Sequence, residues 1–135
     1  MAGTTKLTRG IDELLAAAEP TVRSIEAEAA IALVGNPEWL IVDVRDARER
    51  ARDGYIPGSF HCPRGMVEFW IDPQSPYFKP ALGEAPNLLF HCALDWRSTL
   101  TVNTVQEMGV DNAFHIRGGL KAWKEANGPL VRDDR

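Results

Sequence analysis

The sequence has no long hydrophobic run, no internal repeat and no block of like charge, and it carries only two cysteines and three histidines. Each shortage removes a class of function. No stretch approaches the roughly 20 consecutive apolar residues of a helical membrane span. The opening MAGTTKLTRGIDELLAAAEP also lacks the apolar centre of a secretory signal. The expectation is a cytoplasmic protein without membrane attachment. In a reducing compartment Cys62 and Cys92 are expected to stay free thiols. A net charge of −4 with both signs interspersed excludes an extended basic surface, so no nucleic-acid partner is expected. The repeated dipeptide His61-Cys62 and His91-Cys92 invites a zinc reading. Neighbouring residues of a strand point to opposite faces, however, and no Cys-x2-Cys spacing is present, so no metal is expected.

What is present suits one domain: 135 residues, 44% of them hydrophobic, are enough for a core. Residues 1–20 read as an N-terminal helical appendage, with a helix from Ile11 to Glu19 stopped at Pro20. Residues 21–131 read as the domain and 132–135 as a tail. In the domain, TVRSI is extended, and Ser24 is placed to cap a helix running to Val34 with Gly35 after it. WLIVDV (39–44) and NLLFHC (87–92) are nearly uninterrupted apolar runs of strand length, the mark of strands covered on both faces. ARERARDG is a polar helix ended at Gly54, SFHC a short strand and GMVEFWI a candidate short helix. The proline-rich DPQSPYFKPALGEAP reads as a surface excursion. A helix over 97–108 is stopped by Gly109, followed by the strand NAFHI and a closing helix over 120–126. Alternating strands and helices predict an α/β fold with a parallel sheet, whose ligands collect beyond the carboxyl ends of the strands.

Cys92 stands at such an end. A strand that stops there and a helix that starts near Arg97 aim backbone N–H groups and a helix dipole at one point. A cysteine in that position is expected to have a lowered pKa and to act as a nucleophile. Arg97, five positions on, supplies a permanent cation with planar donors for an oxyanion. Taken alone, Cys92 is more simply a small buried hydrophobe. The Cys-x4-Arg-Ser spacing between strand and helix favours the nucleophile. Cysteine phosphatases use Cys-x5-Arg; here Arg97 comes one residue early and Ser98 stands in its place, which argues against a phosphate cradle.

Four ordered segments, LIVDVRDARE, DGYIPGSFHCPRG, FHCALDWRS and HIRGGLKAWKEANGPL, resemble the single-domain rhodanese-like sulfurtransferases over residues 21–130. The resemblance implies a central, mainly parallel five-stranded sheet flanked by helices on both faces. It also implies a persulfide relay. The Cys92 thiolate would take the outer sulfur of thiosulfate or a similar donor and pass it to cyanide or a thiol acceptor, without cofactor. Backbone N–H groups of Ala93, Leu94, Asp95, Trp96, Arg97 and Ser98 would cradle that sulfur, and Arg97 would bind the donor's oxyanion. The alternative is a catalytically weak module of the same fold that binds a partner or senses oxidants through Cys92.

Further side chains carry expectations of their own. Arg64 either draws an anionic donor toward the site or is an ordinary surface arginine, and Cys62 reads first as a small core residue and second as a thiol for resolving an oxidised Cys92. Asp43 and Arg45 match the family's Asp-x-Arg element and are expected to form a structural ion pair or cap. Glu49, Arg48 and Arg50 read as a solvated helix face. Trp96 is expected to wall the pocket mouth together with Phe69, Trp70 or Tyr77. Asp95 departs from the family, which often carries glycine at that position, and glycine there suggests a positive φ. A carboxylate about 6 Å from the sulfur would also disfavour the thiolate, by roughly 0.7 to 3 kcal/mol for effective dielectrics of about 80 to about 20.

Overall fold

The computed structural model describes residues 5–133. Its elements in chain order are α1 (Ile11–Ala18), β1 (Ser24–Ile25), α2 (Ala27–Ile31), β2 (Trp39–Asp43), α3 (Ala47–Asp53) and β3 (Phe60–His61). There follow α4 (Val67–Ile71), α5 (Pro80–Glu84), β4 (Asn87–His91), α6 (Trp96–Glu107), β5 (Ala113–Ile116) and α7 (Gly119–Glu125). The five strands form one sheet in the order β1-β5-β4-β2-β3, every pair parallel.

The two apolar runs lie side by side in this sheet, Ile41 opposite Leu89 and Val42 opposite Phe90. Alternate residues of each strand serve opposite faces, so both faces need a cover. Ile41 and Leu89 pack with Ala27, Ala30, Ile116 and Trp123 beneath α2 and α7. Val42, Leu88 and Phe90 pack with Val67, Leu82, Val102 and Val105 beneath α4, α5 and α6. The expected sheet flanked by helices on both faces is therefore present.

Two local expectations are corrected. Ser24 does not cap a helix: Ser24 and Ile25 pair with His115 and Ile116 as the edge strand, and the Ser24 hydroxyl lies 2.9 Å from His115 Nε2. Glu26 takes the N-cap position, and α2 ends at Ile31 before a turn that reaches Gly35. Tertiary pairing here outweighs a capping preference of about 1 kcal/mol. The proline-rich stretch is also not wholly a surface excursion, because α5 begins on Pro80 and buries Leu82 in the core. Proline suits a first helical turn, where its missing N–H would have no partner. The N-terminal helix is present, and it packs on α6 through buried Leu15 and Ala18.

Because the strands are parallel, the carboxyl ends of β2, β4 and β5 open on the same edge of the sheet. α3, α6 and α7 start there.

Candidate active site

Cys92 follows the last residue of β4 directly and is almost wholly buried. A cleft of about 310 Å³ reaches it, lined by Cys92, Ala93, Leu94, Asp95, Trp96 and Arg97. None of the backbone N–H groups from Ala93 to Ser98 donates to a protein acceptor among the described residues. Such groups attract an anion, and α6 adds its positive end to them. Of the sequence-predicted cradle residues, 93–97 line the cleft with Cys92, and Ser98 meets the sulfur through its hydroxyl. Its thiol donates to Ser98 Oγ at 3.6 Å, and that hydroxyl lies 3.0 Å from His115 Nδ1.

The loop is held from three sides. Leu120 and Lys121, in the first turn of α7, donate their backbone N–H groups to the carbonyls of Cys92 and Ala93 at 2.9 and 3.1 Å. Asp95 Oδ1 accepts the Gly118 N–H at 3.1 Å. Gly119 fits beneath the loop only because it has no side chain: with φ +58°, a Cβ there would lie 2.4 Å from the Leu94 carbonyl oxygen. On the β2 side, Asp43 receives two hydrogen bonds from the Arg45 guanidinium, 2.8 and 3.0 Å, and a third from Arg50 at 3.0 Å. Burial alone would raise the Asp43 carboxyl. The hydrogen bonds from Arg45, with the neighbouring positive charge, overcome it and hold Asp43 well below the usual carboxylate range. The expected structural pair is present, and both side chains are fully buried.

Several expectations fail against this geometry. Asp95 has φ −152°, not a positive angle, so no glycine-type strain attaches to it. Its carboxylate is engaged with Gly118 and lies 3.8 Å from His115 Nδ1. Neither Glu49 nor Arg50 belongs to a solvated face: Arg50 is paired with Asp43, and the Glu49 carboxylate meets Arg97 in a two-pronged ion pair of 2.8 and 2.9 Å. That carboxylate also accepts the Asp46 N–H at 3.2 Å, while the Glu49 N–H donates to Asp46 Oδ1 to close a capping box. The hydrogen bond from Arg97 holds Glu49 below its ordinary pKa. Arg64 lies apart from the Cys92 cleft, bonded to Glu68 at 2.9 Å in a groove between α1 and α6. Cys62 is a small core residue, as first expected, and burial pushes its thiol up to about 12, so the resolving role is the one that fails. Trp96 is exposed and does wall the cleft, with Leu94 beside it. Phe69 and Tyr77 instead stack on each other edge to face, and Trp70 packs against Phe60, so none of the three lines the cleft.

Sequence reasoning missed Glu49, His115 and the Gly118-Gly119 turn. A signal for each was present. In a parallel sheet the first turns of the helices after β2 and β4 are neighbours, which brings Glu49 to Arg97. The His-Ile-Arg-Gly-Gly segment ends the strand beside β4, which brings His115 to Ser98. No group of three or more His, Cys, Asp or Glu side chains that could hold a metal ion occurs among the described residues. No helix among them is long and apolar enough to cross a membrane.

Known proteins share this fold. A Rhodopseudomonas palustris protein of unknown function, described as a possible tyrosine phosphatase, is 47% identical, with a TM-score of 0.91 over 96% of this chain and 100% of its own. A thiosulfate sulfurtransferase from Pseudomonas aeruginosa shares the fold at 23% identity, with a TM-score of 0.74 over 92% of this chain and 23% of its own. By sequence, the chain is 28% identical over 96 residues to the mouse thiosulfate sulfurtransferase/rhodanese-like domain-containing protein 3, covering 67% of this chain and 61% of that protein. It is 27% identical over 101 residues to a tRNA uridine(34) hydroxylase of Albidiferax ferrireducens, covering 73% of this chain and 31% of that protein. The chain thus spans less than two thirds of the length of either relative. The family model of the rhodanese-like domain matches residues 26–126, from α2 through α7 and including the whole Cys92 loop. The chain belongs to the rhodanese-like domain family.

Proposed function

We propose that the protein is a sulfurtransferase that carries a sulfane sulfur on Cys92. The observation that supports this most is the set of unpaired N–H groups from Ala93 to Ser98 around a cleft whose floor is a cysteine. In the first half-reaction the Cys92 thiolate attacks the outer sulfur of thiosulfate. The S–S bond to the sulfonate breaks, sulfite leaves with its electron pair, and Cys92 becomes a persulfide. In the second, an acceptor thiolate or cyanide attacks the terminal sulfur and the Cys92 thiolate is released. The loop N–H groups stabilise the negative terminal sulfur between the two steps, a role that needs no rearrangement of the protein. Arg97 at the rim offers its guanidinium to the departing sulfite, in competition with Glu49. Exposed Leu94 and Trp96 on the same rim favour an acceptor with an apolar surface of its own.

The four residues between Cys92 and Arg97 make a loop one residue shorter than the phosphatase spacing, which supports a sulfur rather than a phosphate as the bound group. The test is intact mass after incubation with excess thiosulfate. One added sulfur is expected on the wild type and none on Cys92→Ser, with no release of phosphate from p-nitrophenyl phosphate. A wild type that gains no sulfur refutes the reading for this donor. Phosphate release dependent on Cys92 would replace it with the phosphatase reading.

A further inference from the structure

Behind the Cys92 loop lies a second cleft, about 340 Å³, whose lining includes Ser24, Asp95, Thr99, His115 and Arg117. It does not include Cys92, yet a line of hydrogen bonds joins it to the sulfur. The Cys92 thiol donates to Ser98 Oγ at 3.6 Å, Ser98 Oγ is 3.0 Å from His115 Nδ1, and His115 Nε2 is 2.9 Å from Ser24 Oγ. Ser98 and His115 are buried, so neither exchanges these partners for bulk water at little cost. The Ser98 hydroxyl has two acceptors in reach, the Asp95 carbonyl at 3.2 Å and His115 Nδ1 at 3.0 Å; when it turns to Nδ1, the Nε2 proton of a neutral imidazole points at Ser24. The Asp95 carboxylate stands 3.8 Å from Nδ1.

We propose that Ser98 and His115 form a proton relay that draws the proton from the Cys92 thiol, with Asp95 steadying the imidazolium that results. The Sγ–H bond breaks and leaves its electron pair on sulfur. That proton joins Ser98 Oγ as the Ser98 hydroxyl proton passes to His115 Nδ1. The hydroxyl is regenerated, and the products are a thiolate and an imidazolium. Ser98 can then turn its hydroxyl toward the thiolate and accept from Nδ1–H. His115 acts through Ser98 and positions the proton without touching the sulfur.

The charges around the ring fit this role. Asp95 from the loop and Glu19 from the turn before β1 favour the imidazolium, while Arg117 at the end of β5 opposes it. Burial dominates and lowers the His115 pKa, which keeps the ring neutral and able to accept a proton while Cys92 is a thiol. Once the sulfur is negative, its charge adds to that of Asp95 and the balance turns toward the imidazolium.

The inference rests on the sulfurtransferase reading only for its purpose, and the test does not use sulfur transfer. The Cys92 thiolate is followed by ultraviolet absorbance and by the rate of alkylation with iodoacetamide across pH. Cys62, with its thiol near 12, stays silent below pH 10. Ser98→Ala and His115→Asn are expected to slow alkylation at neutral pH about tenfold, equivalent to one pKa unit, and to raise the thiolate midpoint. Asparagine keeps an acceptor near the Nδ1 position but takes up no proton. Unchanged profiles in folded variants overturn the relay. Imidazole NMR of the wild type decides the matter even where a variant fails to fold. Alkylating Cys92 removes the anion and is expected to lower the His115 titration midpoint, and a midpoint that does not move also overturns the proposal. Absence of persulfide with thiosulfate, alongside a positive result here, would refute the transferase reading for that donor and leave the relay standing.

Discussion

Arg97 and Glu49, separated by 48 positions in the chain, meet in a two-pronged ion pair at the rim of the Cys92 cleft. The pair fixes a flexible guanidinium beside the loop, but it also sets a carboxylate against any anion that Arg97 would bind. With 41% of the Arg97 side chain exposed, solvent screens the pair, and its worth to stability is at most about 1 kcal/mol.

Glu49→Gln is accordingly expected to tighten the donor while leaving the fold intact. With thiosulfate as the proposed donor, removing one screened charge close to the anion should lower its KM roughly threefold to tenfold, with kcat little changed. Arg97→Gln should raise KM by more. Steady-state sulfite release measures both, and a Glu49→Gln enzyme with a higher KM would show that the carboxylate's positioning of Arg97 outweighs its repulsion of the donor.

Asp95→Asn and Asp95→Gly separate charge from anchoring. Asparagine retains an oxygen for the Gly118 N–H, whereas glycine leaves that donor without its partner. The glycine variant should lose about 0.5 to 1.5 kcal/mol more than the asparagine variant in urea denaturation. Equal stabilities would mean that water replaces the carboxylate without loss.

Asp43 gives the fold an acid limit. Its folded pKa lies below the unfolded value of about 3.9, so ionised Asp43 favours the native state. That contribution is fully present above about pH 4 and is lost as the pH falls through and below that value. Asp43→Asn should cost about 3 to 5 kcal/mol at neutral pH, since it leaves Arg45 buried without its charge partner. Its stability should then fall less steeply than that of the wild type between pH 5 and pH 2. Parallel acid profiles for the two proteins would refute the assignment.

Gly119→Ala tests the contact beneath the loop. A Cβ at Gly119 meets backbone atoms of Cys92, Ala93 and Leu94 in a left-handed conformation, so both strain and clash apply. A loss above about 2 kcal/mol is expected. Gly109→Ala is the control, since its φ of +102° is strained but nothing lies within 4 Å of the added atom. Thermal unfolding that ranks Gly109→Ala as the more damaging would contradict the packing described.

Much of this was legible in the chain. The apolar runs at 39–44 and 87–92 announce two central parallel strands, because only a strand covered on both faces can be apolar at successive positions. The end of the second run fixes where Cys92 emerges, and the spacing to Arg97 puts the loop at a helix start. Local pattern misled at Ser24, whose hydroxyl has a cross-strand partner in His115, and at Asp95, whose φ is −152° and whose carboxylate accepts the Gly118 N–H.

The sequence by itself determined the sheet, the place of the cysteine at a strand end and the length of its loop, since hydrophobic periodicity and residue spacing are local properties. Only the tertiary structure decided which side chains surround that loop. Glu49 reaches Arg97, and His115 reaches Ser98, because parallel strands bring the ends of β2, β4 and β5 to one edge. No local pattern records a contact between residues that become neighbours only when the sheet assembles.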